Sequence, residues 1–522
     1  MHSPLACARE YQVNTQADFS ELNNIDFEPG DVILLKAGET FNGNLLLEAE
    51  DSGTNKDGHL IQPIVITSSG MQKATINAGD GFGIYGINNG GFTISGIRVV
   101  GSGVTREGQT TNTESGIFFF TDSDSNIKYE HVHIDRVEVS GFGDRGIKIG
   151  GFNGTSGYTN VRITNAIAHS NLNSGIETFG YTDITSALTN VVVSDSIAYN
   201  NFGDPAKQGN TGNGIVLGSV DGGTIQRSIA YNNGQNNKAP TEGPVGIWAY
   251  NANNITIQFN ESYRNRTQTR DGGGFDLDQN VTNSVLQYNY SHDNEGAGYL
   301  IYSGPGTSGS SDNTIRYNIS QNDGRRPESS SAGGIFVSGK VKSINIYGNT
   351  VYLSGLWGSP RLSAINIVSY GNMPKDVLVA NNIFITTVGA AVVSVGEDVV
   401  ASARFLNNSY WASGHLITIN FGKTTYSSIA DWRDATGQEQ FNNKSLGTES
   451  DPLVTDPGSG RTLNNPDLLP SLSAYILKSN SPLIDRGIDL QGLFGLDIGD
   501  RDFFQNPLLP SNELDIGAHE FF

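Results

Sequence analysis

The 522-residue sequence predicts an all-β fold: a right-handed parallel β-helix, a solenoid of about ten or more coils ending in a short irregular C-terminal region. Three observations predict it. One segment recurs as ITNAIAHSN, VSDSIAYNN, IQRSIAYNN, IQFNESYRN, LQYNYSHDN and IRYNISQND. Aligned on their last residues, these place Asn171, Asn201, Asn233, Asn265, Asn294 and Asp323 in one column, at spacings of 30, 32, 32, 29 and 29. A second segment recurs as SGIFFF, RGIKIG, SGIETF, NGIVLG, VGIWAY, GGFDLD, AGYLIY and GGIFVS. Its first large apolar residue falls at Ile117, Ile147, Ile176, Ile215, Ile247, Phe275, Tyr299 and Ile335, spaced 24 to 39 apart, so loops vary while strands persist. Third, the composition suits turns and strands. Glycine supplies 65 residues, and only 16% are charged against about 25% in ordinary chains.

The elements follow in order. Residues 1–30 read as an N-terminal cap segment, 31–430 as the β-helix and 431–522 as a C-terminal capping region. FEPGDVILLKAGETFNGNLLL reads as the opening coil. Each repeat then holds two or three short alternating runs separated by Gly and Asn, which is strand and turn chemistry. A unit of about 30 residues with strands this short cannot bury its own apolar face, so it must stack on its neighbours. Asn residues in one column then bond to one another along the stack. The sequons at Asn260, Asn289 and Asn318 read as such ladder positions rather than glycosylation sites. Near the end, SIADWRDATGQE reads as a short helix.

Charge and cysteine usage exclude several functions. A net charge of −21 with no basic patch argues against nucleic acid. No apolar run reaches membrane-spanning length. One cysteine, Cys7, rules out a disulfide framework and a cysteine metal site. The opening MHSPLACARE has no apolar core of signal-peptide type and reads as a trimmed mature start, as in a secreted protein. There Cys7 is a free thiol, or alternatively the remnant of a lipoprotein junction. No zinc-binding His spacing and no phosphate loop occur.

Alternation along each strand turns the repeat into a surface map. The outward positions of one sheet run Phe118 and Phe120, Lys148 and Gly150, Glu177 and Phe179, Val216 and Gly218, Trp248 and Tyr250, Asp276 and Asp278, Leu300 and Tyr302, Phe336 and Ser338. Trp248, Tyr250, Tyr302 and Phe179 are thus expected outside, where aromatic rings suit sugar C–H faces. Alternatively, long loops before Ile215 and Ile335 cover them. Within RDGGGFDLDQN, Asp276 and Asp278 share the outer face with Cα atoms about 6.5–7 Å apart. Asp271 stacks over Glu295 at the turn, and His292 and Asp293 lie just before it. Like charges this close raise at least one carboxyl pKa. A raised acid beside an ionised carboxylate is what glycoside hydrolysis requires. The candidate catalytic residues are therefore Asp271, Asp276, Asp278 and Glu295. Candidate substrate contacts are Trp248, Tyr250, Tyr302, His292, Glu177, Phe179 and Lys148, with Lys148 expected to pair with Glu177. No cofactor is required on this reading; alternatively the acids bind Ca2+, with Asp293 as a candidate ligand.

GDVILLKAGETF, the repeated coils and the closing SPLIDRG and DIGAHEF resemble secreted bacterial right-handed parallel β-helix proteins, many of them carbohydrate-active. That resemblance implies a polysaccharide or oligosaccharide partner and a secreted, periplasmic or cell-surface location. The interval from Asp271 to Asp278 resembles the paired aspartates of lacto-N-biosidase-type glycosidases. YRNRTQTRDGGGFD is similar to the calcium-binding coil of family 9 pectate lyases, where Asp276 matches but Gly272 and Gly273 stand in place of adjacent aspartates. The opening coil is also similar to chondroitinase-like and alginate lyases. Hydrolase is the first reading. A calcium-dependent lyase with Lys148, Arg145 or Arg316 as base is the second, and a non-catalytic glycan-binding β-helix the third.

Overall fold

The computed structural model describes residues 8–181, 185–326, 331–355, 362–508 and 514–521. Cys7 lies outside them. The chain is a right-handed parallel β-solenoid of about 13 turns with few helices. Strands fall into three parallel sheets, so a complete turn has three short strands. The chain divides into two compact units, Met1–Pro244 with Ala249–Ile255, and Val245–Trp248 with Thr256–Phe522.

In the first unit the strand Glu10–Val13 pairs with Val32–Leu35, so the N-terminal segment already contributes to a sheet. The helix Gln16–Glu21 follows, closed by a capping box between Thr15 and Asp18. The repeat alignment is the observed register: Ile117 pairs with Ile147, Ile147 with Ile176, and Ile176 with Ile215. All four are fully buried. Asn171 accepts hydrogen bonds in the turn and donates to Asn201, which donates to Asn233 at 3.0 Å.

The second unit repeats the pattern. Phe275 pairs with Tyr299, and Tyr299 with Ile335. The column Asn265, Asn294 and Asp323 is one ladder, with amide donations of 3.0 and 2.8 Å. Asp323 ends it, and burial pushes its carboxyl up to about 6. The sequon residues make a second ladder. Asn260, Asn289, Asn318, Asn349, Asn382 and Asn408 each donate to the next, and Asn408 donates to Glu439. Each is at most 1% exposed, which leaves no room for a glycan. The physical reason is stacking: an Asn just after the left-handed corner residue, as Asn289 follows Tyr288 at φ 58°, bonds to backbone and to the next coil's Asn at once.

The expected helix spans Ile429–Thr436, capped by Ser428 and ended by Gly437 in the left-handed region at φ 72°. Its Trp432 is fully buried against Phe405, Tyr410 and Phe421. The rest of the C-terminal region packs along the third sheet. Leu463, Leu469, Tyr475, Leu483 and Phe503 share one core cluster with Tyr290, Ile319 and Ile383.

The closing DIGAHEF segment holds buried carboxyls. Asp515 accepts the N–H groups of Asp485 and Phe521, and Asp502 accepts that of Glu520. Burial pushes Asp502 and Asp515 up to about 6 and Glu520 up to about 8. These folded-state values lie above the unfolded ones. The stability they confer is therefore complete below about pH 4 and lost as pH rises through about 6 to 8. Burial holds His519 down at about 4, so its contribution runs the other way and fades on acidification through that value. Thermal unfolding is expected to show a Tm falling by several degrees between about pH 6 and about pH 9. Glu520→Gln should flatten that slope; an unchanged slope would mean that Glu520 titrates normally.

Candidate functional site

The strand Gly273–Leu277 is built by its glycines. Gly272 sits at φ 76°, and a Cβ on Gly273 or Gly274 would lie 2.7 Å from the Ala297 carbonyl or 2.2 Å from Ser291 Oγ. Only glycine lets these coils approach so closely. Phe275 and Leu277 point into the core at 0% exposure. Asp276 pairs in register with Leu300, and Leu300 with Phe336. Leu300 and Phe336 form a small apolar cluster with Ala297, flanked by Tyr302.

This setting dictates the protonation of Asp276. The side chain is 3% exposed, and its Oδ1 is buried with no hydrogen-bond partner among the described residues. Burial, then the charges of Asp278 and Asp271, push its carboxyl well above the usual carboxylate range. The Asp271, Asp276 and Asp278 group expected from sequence is therefore brought together. Asp271 sits in the left-handed region at φ 56°, and Ser331 Oγ donates to its Oδ1 at 3.0 Å. Ser331, in the long unit before Ile335, thus reaches Asp271. Tyr302 is half-buried. Burial, then Asp278, push its phenol above the ordinary value. Its ring lies 5.8 Å from Tyr370, and the Arg270 guanidinium is 5.9 Å from the Tyr370 ring centre. Neither Arg270 nor Tyr370 was singled out from sequence, because the loop bearing Tyr370 has no counterpart in the repeat.

Four expected members do not join this group. Glu295 stacks over Asp271 along the backbone, since Gly296 N–H donates to the Gly272 carbonyl at 3.0 Å. Its carboxylate, however, accepts the Thr267 N–H at 2.8 Å and works as a turn cap. His292 is 1% exposed, sandwiched between the rings of Tyr263 and Tyr290 at 4.9 and 4.5 Å. Its Nδ1 meets Asp293 at 3.0 Å and its Nε2 meets Glu261 at 3.3 Å. Burial lowers its pKa, but the two carboxylates outweigh burial and raise it. Glu261 in turn accepts N–H groups from Leu463 and Asn464. His292 thus fastens the C-terminal region to the third sheet and is not a substrate contact. Asp293 is occupied by His292 and by Arg325 at 2.5 Å. Burial raises its pKa, but those two cations outweigh burial and hold it below the usual range. Among the described residues no group of three or more His, Cys, Asp or Glu side chains could hold a metal ion. The carboxylate of Asp293, the candidate calcium ligand, is shared between His292 and Arg325. Trp248 is 8% exposed, so it is no outward platform.

In the first unit, Glu177, Lys148, Phe179 and Tyr250 gather around Arg145. Lys148 pairs with Asp144 at 2.9 Å, and the partner of Glu177 is Arg145, at 2.7 Å. The expected Lys148–Glu177 pair is thus corrected: the guanidinium reaches further and forks between Asp144 and Glu177. Burial would raise Asp144, but Arg145 and Lys148 outweigh it and hold the carboxylate well below its usual range. Phe179 and Tyr250 point outward yet lie flat. A Cβ on Gly150 would meet the Phe179 ring at 2.5 Å, and one on Gly218 the Tyr250 ring at 2.3 Å. Each ring covers the glycine of the preceding coil, which is why Phe179 is only 9% exposed. The remaining candidate base, Arg316, donates to Gln287 and to the Asp497 carbonyl, and is 8% exposed beneath the C-terminal region.

No protein-family model and no curated protein matches the chain. Solved structures do. Pectate lyase Pel9A aligns over 99% of this chain and 97% of its own, at 16% identity and TM-score 0.42. A GH136 lacto-N-biosidase from Eubacterium ramulus aligns over 70% of this chain and 65% of its own, at 16% identity and TM-score 0.46. A variant of the PL6 family alginate lyase AlyGC aligns over 90% of this chain and 57% of its own, at 13% identity and TM-score 0.51. What they share with this chain is the fold. The chain spans less than two thirds of the length of the last two. No helix among the described residues is long and apolar enough to cross a membrane.

Proposed function

We propose that the protein is a glycoside hydrolase acting on a polysaccharide or oligosaccharide outside the cytoplasm, with Asp276 as general acid and Asp278 or Asp271 as the base or nucleophile. One observation carries the reading: a buried carboxyl, Asp276, whose Oδ1 meets no hydrogen-bond partner among the described residues and whose neighbours Asp278 and Asp271 favour its neutral form. Glycosidic bond cleavage needs one acid that holds its proton at neutral pH and one carboxylate that does not. In this reading Asp276 gives its proton to the leaving oxygen as the C–O bond breaks. The second carboxylate either takes a proton from the attacking water or bonds to the anomeric carbon. Tyr302 and Tyr370 offer ring surface beside the acids, and Arg270 a cation.

Elimination from a uronate is the reading of the second rank. It needs a base within reach of a sugar C5 proton and a cation on the carboxylate. Arg316 is covered, and Lys148 and Arg145 are paired within the first unit, so the cation this reading would use beside the acids is Arg270. Product chemistry separates the two. Incubation with neutral, sulfated and uronic polysaccharides should release reducing ends without near-UV absorbance from an unsaturated sugar. Reducing ends accompanied by that absorbance would make the protein a lyase, and no product from a broad panel would leave glycan binding alone.

A further inference from the structure

We propose that the outward face of the strands Ile117–Thr121, Arg145–Gly151 and Ser174–Gly180 binds a neutral polysaccharide chain, with Phe152 and Tyr181 as its stacking platform. Side chains on this face form a continuous aromatic array. Tyr85 stacks on Phe118 at 5.0 Å and 5°, and Phe118 on Phe120 at 5.6 Å. Tyr85 and Phe118 stack from adjacent coils and Phe118 and Phe120 along one strand, so these rings cover one another. Phe152 breaks the pattern. It stands across the array, 4.8 Å from Phe120 at 83° and 5.2 Å from Phe179 at 65°. Tyr181 continues it, 6.0 Å from Phe152 and tilted 44°. Phe152 is 43% exposed and Tyr181 75%, in a chain whose other large apolar side chains mostly fill the core.

Charge beside the platform selects the occupant. Lys148 Nζ lies 4.6 Å from the Phe118 ring centre and 5.2 Å from that of Phe179. Its charge is matched by Asp144, and that of Arg145 by Glu177, so two cations face two carboxylates. At the other margin Asp122 and Glu114 act on the Tyr85 phenol. Among the described residues beside the platform, Lys148 and Arg145 already face carboxylates of equal number and so favour no uronate or sulfate, and the chain as a whole carries −21. Balanced ionic groups still donate to and accept from sugar hydroxyls, while the ring faces take sugar C–H faces. A second copy of the chain fits less well. At 43% and 75% exposure the two aromatic side chains present roughly 200–300 Å2 in all, and a stable interface needs about 800 Å2 per partner.

This inference rests on the reading of a glycan as ligand, and binding is measured apart from turnover. Asp276→Asn protein serves as the reference so that substrate is not consumed. Affinity electrophoresis in gels containing neutral β-glucan, xyloglucan or galactan, or polygalacturonate or alginate, is expected to show retardation by at least one neutral polymer. Adding Phe152→Ala and Tyr181→Ala should weaken that binding by at least tenfold, with Tyr181→Ala leaving Tm unchanged and Phe152→Ala, whose ring also packs on Phe120 and Phe179, lowering it by no more than a few degrees. Undiminished binding by the triple variant would overturn the proposal. So would retardation by the uronates alone, retardation by no polymer, or a change confined to self-association in sedimentation. Failure of the hydrolase reading would appear instead as absent reducing ends, with this binding intact.

Discussion

Asp276→Asn is expected to lower kcat by roughly 100- to 10,000-fold on the substrate identified by product analysis, the usual contribution of a positioned acid. The same variant should unfold within about two degrees of the parent. Burial and the neighbouring Asp278 and Asp271 favour the neutral carboxyl, and an amide of the same shape keeps that position neutral. That combination separates chemistry from architecture. A turn-building aspartate would lose stability on substitution, as expected for Asp271, which Ser331 ties to the long loop. A comparable loss of Tm in Asp276→Asn, or activity within threefold of the parent, would remove Asp276 from the role assigned to it.

The second large effect concerns the fold. Asn318→Ala should destabilise the second unit by about 3–6 kcal/mol. The Asn318 amide donates to the Leu286 carbonyl and to Asn349, and its oxygen accepts from both the backbone and the side-chain nitrogen of Asn289. Alanine takes the acceptor from the Asn289 backbone N–H, leaves Asn289 Nδ2 only the Ile257 carbonyl, and removes one donor from the Leu286 carbonyl, at about 1–3 kcal/mol for each group left unmet. Denaturant titration followed by fluorescence should register the loss as a lower midpoint. Expression in a host that glycosylates N-x-S sequons should leave Asn318 unmodified in folded protein. A stable alanine variant, or a glycan on Asn318, would mean that the ladder does not carry the stack.

The repeat was legible because stacking forces identical demands on every coil. A buried Ile at the start of each strand and an Asn at each corner recur at readable spacings, and the observed pairs of Ile117 with Ile147 and Phe275 with Tyr299 are those of the alignment. In and out were legible for the same reason. Exposure was not. Whether an outward ring stands in water or lies down depends on the size of its neighbour one coil away. Gly150 under Phe179 and Gly218 under Tyr250 turn two expected platforms into covers. Non-repeating segments hid the rest. The C-terminal region that buries Arg316 and is fastened through Glu261 and His292 has no period to betray where it lies. Glu295 looked catalytic and Asp293 a possible calcium ligand because they are near Asp271 in the coil, but backbone and arginine partners claim them first. Phe152 and Tyr181 follow the last outward position of their strands, one step beyond the mapped column.

The protonation of Asp276 at neutral pH tests the account most directly. Infrared difference spectroscopy of the parent against Asp276→Asn should show loss of a protonated-carboxyl C=O band at pH 7, with no matching loss in the carboxylate region. The band should persist until the pH is well above the ordinary carboxylate range. Loss of a carboxylate band in its place would show Asp276 ionised, and the assignment of an acid beside two carboxylates would fall with it.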